Sequence, residues 1–318
     1  MKTSITIIIL IFSQLPGLSQ NEWEVINTDI TEPLHDIEFV NDNVGFIYSY
    51  GTGNIYKTID EGNTWKRIKQ TDSIYFEQLQ FVNSKLGWIC GEKGKLLRTQ
   101  DCGTTWTDLS ITVNDKNLLL YGMCFINDST GYLSGAVMYN RKFEPKLYVT
   151  NDCGITWTAI FEDIPHMILN LEEKDNELFA TGNGFIVRIG IQTNTWKYAF
   201  RDTLRIIGQI RDIQFADDKL GIGISFNGKI LITTNGGDSF SYKEITTNRL
   251  RSIAYLGGEK WIVAGDNNKN DGAVLYSSSD NGENWEKCND FPDIHRITTT
   301  DKNIWIVGKN GLIAKMKK

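Results

Sequence analysis

The sequence predicts an all-β chain of seven repeated four-stranded units closed into a ring. Three observations predict it: a short box that recurs along the chain, two aromatic series with one shared period, and an N-terminal strand without a unit of its own. The chain has 318 residues, 41% hydrophobic and 23% charged, with 29 Gly and only 5 Pro. That composition belongs to a folded globular protein and excludes the disordered and collagen-like classes. A formal net charge of −6 argues against a general nucleic-acid binder.

The box reads [Ser/Thr]-x-Asp-x-Gly-x-x-Trp. It is carried by Asp60, Gly62 and Trp65; by Asp101, Gly103 and Trp106; by Asp152, Gly154 and Trp157; and by Asp280, Gly282 and Trp285. A weaker copy has Asn235, Gly237 and Phe240, and a decayed one ends in Thr195-Trp196. The Asp carboxylate can accept backbone N–H groups across a tight turn, braced by the Ser or Thr hydroxyl. Gly supplies positive φ, and the Trp is expected to drop into the core and lock the hairpin. Nothing here needs a ligand, so these residues are read as structural.

Each box closes a longer unit. In the second copy, alternating apolar residues 76–82 are followed by Leu86-Gly-Trp88-Ile-Cys-Gly91, by Gly94-Lys-Leu-Leu-Arg-Thr99, by the box, and by residues 106–111. Those are four short β-rich runs separated by turn residues, with no stretch of helical periodicity. The box's last position gives Trp23, Trp65, Trp106, Trp157, Trp196, Phe240 and Trp285, spaced by 39 to 51 residues. A second-strand series gives Phe46, Trp88, Tyr132, Phe179, Ile222, Trp261 and Trp305, spaced by 39 to 47. Both count seven units. The last unit ends after three strands, and Trp23 begins a strand that lacks its first three. A ring whose last unit is completed by the N-terminal strand accounts for both, whereas an open solenoid would leave two uncapped ends. Four-stranded blades in a ring describe a seven-bladed β-propeller.

Residues 1–19 have a signal-peptide pattern: Lys2, an apolar run from Ile5 to Phe12, and small residues before a cleavage point after Ser19. The run is too short to span a membrane, which takes about 20 apolar residues. Residues 20–318 are then one domain, exported to the periplasm or secreted, without a membrane span. Cys90, Cys102, Cys124, Cys153 and Cys288 are sparse and lack CxxC spacing, which argues against a zinc or redox site and for small buried hydrophobes.

The boxes resemble the Asp-box (BNR) repeat of sialidase-like propellers. The longer unit is similar to that of the photosystem II assembly and stability factor propellers, seen here in Asp36-Ile-Glu-Phe39, Leu86-Gly-Trp88-Ile-Cys-Gly91 and Gly228-Lys-Ile-Leu-Ile-Thr233. The resemblance covers nearly the whole chain from Trp23. It implies an exported, non-catalytic, protein-binding or complex-assembly module that holds a client on an Arg-rich face. It is specific for fold more than for function, because one fold hosts many activities.

The alternative is a glycan-active hydrolase. Its carboxylates would be Asp36, Glu77 or Asp212 near the starts of inner strands, since glycoside hydrolysis uses two carboxylates at a set separation. The Arg-Ile-Pro expected of a sialidase is absent. Of three histidines, His35, His166 and His295, the first and last share one inner-strand register in units that ring closure makes neighbours. A two-His metal site would still need a third ligand, so no metal and no cofactor is expected. The binding reading rests on arginine. Six of ten Arg fall at 201, 205, 211, 249, 251 and 296, in or beside connections that lead into inner strands. Arg211, Arg251, His295 and His35 share one register, which Glu77 and Tyr121 continue. We therefore expect Arg205, Arg211, Arg249, Arg251, His295 and Arg296 to bind an acidic or C-terminal protein segment on one face of a monomer, with a glycan as the other ligand class. The competing reading pairs these arginines with Asp202, Asp212 and Glu244. Insertions at residues 137–146 and 266–271 add loops to that face, where binding tends to reside; Asp266 and Asp271 are oxygen donors for a hard cation, but the run lacks an EF-hand pattern.

Overall fold

A computed structural model describes residues 23–318 apart from 72–73, 113–116, 140–141, 162–166, 194, 268–271 and 289–290. The expected leader, residues 1–19, lies outside the described residues, as do His166 and Asp271.

The blades form because each unit offers four short β-formers separated by turn residues. Blade one pairs β2 (Leu34–Phe39), β3 (Gly45–Ser49), β4 (Asn54–Thr58) and β5 (Lys66–Gln70) in sequence order. Five further blades repeat this meander, beginning with β6 (Phe76–Phe81), β10 (Asn117–Phe125), β14 (Ile168–Lys174), β18 (Ile210–Phe215) and β22 (Arg249–Gly257). Blade seven runs β26 (Ile294–Thr299), β27 (Asn303–Gly308), β28 (Ile313–Lys317) and then β1 (Glu24–Val25). Each first strand packs against the first strands of the two neighbouring blades, and β26 packs on β2, so the seven surround one axis. β1 pairs antiparallel with β28, Glu24 opposite Lys315 and Val25 opposite Ala314. The N-terminal strand thus completes the last blade. Trp23 anchors it, buried and edge-on to Phe291 at 5.8 Å.

The core lies between blades, and the two aromatic series have different places in it. Phe46, Trp88, Phe179, Ile222, Trp261 and Trp305 on second strands are fully buried. The box tryptophans Trp65, Trp106, Trp157 and Trp285 are only half-buried, against the expectation that they drop into the core. Each of Trp65, Trp157 and Trp285 donates its indole N–H to the carbonyl of its own box glycine at 2.9–3.1 Å.

The glycine is what enters the core. A Cβ on Gly62 would lie 2.2 Å from the Trp305 ring, one on Gly103 2.4 Å from Phe46, and one on Gly237 2.2 Å from Phe179. Each box therefore seats its glycine on the second-strand series residue of the preceding blade, an aromatic ring in four copies and Ile222 for Gly282. φ is +71° at Gly62 and +73° at Gly103. Positive φ and close approach both demand glycine there. The carboxylate network holds the turn. Thr58 Oγ1 donates to Asp60 Oδ1 (2.8 Å), and the Gly62 N–H donates to Thr58 Oγ1 (3.0 Å). Thr64 donates its N–H to Asp60 Oδ1 (2.9 Å) and its hydroxyl to Oδ2 (2.6 Å). Asp101, Asp152 and Asp280 repeat the pattern with Thr105, Thr156 and Asn284. In the Asn235 copy, Ser239 donates its N–H to Oδ1 and accepts from Nδ2. Hydrogen bonds from Thr156 hold the Asp152 carboxyl down at about 2. All five cysteines are free thiols.

Candidate functional site

Every inner strand breaks register at the same step. The ladder slips between Leu34 and Asp36, Phe76 and Gln78, Leu120 and Met123, Ile168 and Asn170, Ile210 and Asp212, Leu250 and Ser252, and Ile294 and Arg296. The residue before each slip is a fully buried aliphatic or Phe76. The residue at the slip is unpaired, and such bulges re-aim side chains. Around the ring these residues are His35, Glu77, Tyr121, Leu169, Arg211, Arg251 and His295, and together they line a small cavity of about 50 Å³ at the mouth of the axial channel.

The residues after the slips tie the blades together beneath that mouth. Arg296 Nε lies 3.1 Å from Asp36 Oδ1, and its Nη1 lies 3.2 Å from Asp212 Oδ2. One guanidinium thus spans the channel between blades one and five. Asp36 and Asp212 also accept the backbone N–H groups of Ile37 and Ile213. Gln78 Oε1 accepts the Met123 N–H (2.6 Å), Asn170 donates to Asp212, and the Ser252 hydroxyl accepts the Ile297 N–H (3.1 Å). Deeper in the channel, burial pushes the Glu38 and Glu172 carboxyls up to about 8.

At the mouth itself, His35 Nε2 is 3.9 Å from Glu77 Oε2. The His35 ring stacks on Tyr50 at 5.0 Å and lies 6.1 Å from the His295 ring. Burial, then the nearby cations His295, Arg211 and Arg251, hold His35 well below its ordinary range. His295 Nδ1 is 2.7 Å from the Leu34 carbonyl, and burial likewise lowers its pKa. Burial pushes the Glu77 carboxyl up to about 7 while Arg211 pulls it down. Arg211 and Arg251 both lie over the Phe226 ring, at 4.9 and 5.4 Å.

The expected binding residues divide by partner. Arg296 is committed to Asp36 and Asp212. Arg251 pairs with buried Asp266, and Arg249 lies 3.7 Å from the same carboxylate. Asp266 is therefore occupied by arginines, which leaves the cation reading of its loop without this ligand. Arg211 and Arg205 have no described carboxylate within ion-pair distance. Glu244 pairs with Lys229, and Asp202 accepts the Leu204 and Ile207 N–H groups. Of the competing pairings, only that with Asp212 is present, through Arg296. Arg211, Arg251, His295 and Arg296 share the mouth. Arg205 lines a separate groove of about 870 Å³ beside it. Arg249 lines a third depression, bounded by Phe226 and Glu244.

The hydrolase alternative fails on this geometry. Asp36 and Asp212 are both held by one arginine and by backbone donors, and Glu77 is the only one of the three carboxylates at the mouth without such a clamp. A cavity of about 50 Å³ is far below the several hundred Å³ of a ligand-sized pocket. Among the described residues, no group of three or more His, Cys, Asp or Glu is arranged to hold a metal. No helix among them is long and apolar enough to cross a membrane.

Sequence reasoning missed Leu169, the mouth residue of blade four, because an aliphatic in a strand reads as core. It missed Phe226, the platform under two arginines, because it sits in a turn. It also missed the partner of each box carboxylate, although a hydroxyl or amide residue precedes the box's last aromatic in all five copies: Thr64, Thr105, Thr156, Ser239 and Asn284.

A family model described as photosynthesis system II assembly factor YCF48 matches residues 15–205. The chain belongs to the Ycf48 family. The photosystem II assembly lipoprotein Ycf48 of Synechococcus sp. (strain CC9902) is 25% identical over 264 residues, covering 78% of this chain and 74% of that protein. The photosystem II stability/assembly factor HCF136, chloroplastic, of Oryza sativa subsp. japonica is 30% identical over 164 residues, covering 49% of this chain and 37% of that protein. A solved structure of YCF48 bound to D1 peptide superposes with a TM-score of 0.71 at 20% identity, covering 95% of this chain and 97% of that one. The Ycf48 family is described as assembly factors, in agreement with the non-catalytic reading and against the hydrolase.

Proposed function

We propose that this Ycf48-family chain is an exported, monomeric binding module that holds an acidic or C-terminal segment of a client protein at the channel mouth. The observation that carries the reading is Arg211. It faces the mouth over Phe226, with no described carboxylate paired to it. The cavity beside it suits a carboxylate and little more, and Arg is suited to gripping one through parallel N–H donors. Arg251, His295 and Arg249 flank the contact, Arg205 extends it outward, and Arg296 supports it from below. The relative solved with a bound D1 peptide and the lipoprotein relatives support peptide binding and export to the periplasm or beyond. Affinity capture from the native envelope tests the reading. Wild type should retain a client that Arg211→Glu recovers at least about tenfold less well, with unchanged thermal melting. Equal recovery by a folded Arg211→Glu variant would sink it.

A further inference from the structure

We propose that the groove beside the mouth is a second subsite, which takes an apolar side chain of the same client segment. It rests on the peptide reading above and adds a chemistry that reading does not require. The groove has a volume of about 870 Å³, within the range of sites that enclose side chains or small ligands. Leu169 lines both the mouth and the groove, so the two are adjacent. Phe143, Pro145, Met167 and Phe185 supply apolar lining, with Arg205 at the rim.

Two features fit an extended, partly acidic segment. The first is a braced lining. The Gly184 N–H donates to the Gly208 carbonyl and the Asp202 N–H to the Gly184 carbonyl, both at 2.7 Å. A braced site lowers the ordering cost of binding. The second is uncovered apolar surface beside uncompensated charge. Phe143 is 51% exposed and Leu204, next to Arg205 on the loop, 73%. Both oxygens of Asp202, the acid in the groove lining, accept backbone N–H groups, so Arg205 remains available to a ligand. Exposed apolar side chains around a concave site mark contact surfaces. The preferred segment therefore combines a carboxylate for the mouth with a leucine, phenylalanine or similar residue a few positions upstream.

Fluorescence anisotropy with short labelled peptides tests this on the full folded chain. Each peptide ends in an acidic residue with a free carboxylate. One is otherwise alanine and glycine, and the others carry a single leucine or phenylalanine at successive upstream positions. At one position the apolar residue should tighten binding to wild type about tenfold over the alanine peptide. Phe143→Ala and Thr203→Trp, both surface changes, should return that peptide to the alanine level and leave the alanine peptide as wild type. Arg211→Glu should lose every peptide. If the alanine peptide binds and no apolar position improves it, the groove proposal is overturned and the mouth reading stands. If no peptide binds wild type, both fall. If wild type instead binds phosphatidylcholine–phosphatidylglycerol vesicles and Phe143→Ala releases them, the groove is a membrane contact and the proposal is overturned.

Discussion

Burial pushes Glu77 up to about 7 against the pull of Arg211, so its charge changes near neutral pH. Above 7 the anionic carboxylate competes with a client carboxylate for Arg211. Below 7 it is neutral, and the mouth gains net positive charge. His35, His295, Arg211, Arg251 and Tyr121 share that mouth, and the two histidines are held below their ordinary range. At the mouth Glu77 is therefore the titrating group in this window; Glu38 and Glu172, raised to about 8, lie deeper in the channel. Affinity for an acidic peptide should rise between pH 8 and pH 6, by about three- to tenfold. Glu77→Gln should bind at pH 8 as wild type binds at pH 6. An unchanged pH profile in that variant would reject the assignment. At this scale the sequence placed six side chains in one register, but their pairing was illegible. Arg296 and Arg251 look alike in the sequence. One clamps two buried carboxylates from blades one and five, and the other pairs within its own blade.

The box is a joint between blades as well as a turn within one. Its hydrogen bonds are local, so the motif is legible in a stretch of eight residues. The reason for its glycine is not, because the opposing side chain comes from the preceding unit, as Phe46 does for Gly103 from 57 residues earlier in the chain. This gives a graded expectation for stability in urea. Gly103→Ala should cost about 2 to 4 kcal/mol, since it meets both positive φ and the Phe46 ring. Gly258→Ala has positive φ but nothing within 4 Å of the new Cβ, so it should cost about 1 kcal/mol. Asp101→Ala should lie between the two, through the lost turn bonds. Equal losses at Gly103 and Gly258 would show that the inter-blade contact contributes nothing. The half-buried box tryptophans follow from the same joint: the glycine occupies the inter-blade contact, and the indole covers it from outside.

Closure of the whole ring depends on a strand of two ladder residues, Glu24 and Val25, held by Trp23. Trp23→Ala should cost about 2 to 4 kcal/mol and should open blade seven first. Hydrogen exchange in β26–β28 should then accelerate before exchange in the other blades. A uniform rise across all seven would contradict this role for β1. The number of blades, their four strands and the completing N-terminal strand were determined by the sequence alone. Each of those signals lies within one repeat of about 43 residues or in the offset between the two chain ends, so counting suffices. The same holds for six of the seven mouth positions, because one register recurs along the inner strands; Leu169 is the exception, since an aliphatic in a strand reads as core. Tertiary structure alone decided which charges remain free. Asp36, Asp212 and Arg296 lie far apart in the chain and meet only because seven inner strands surround one axis. That meeting ties up Asp36 and Asp212, two of the acids on which a hydrolase would depend, and leaves Arg211 to face the mouth.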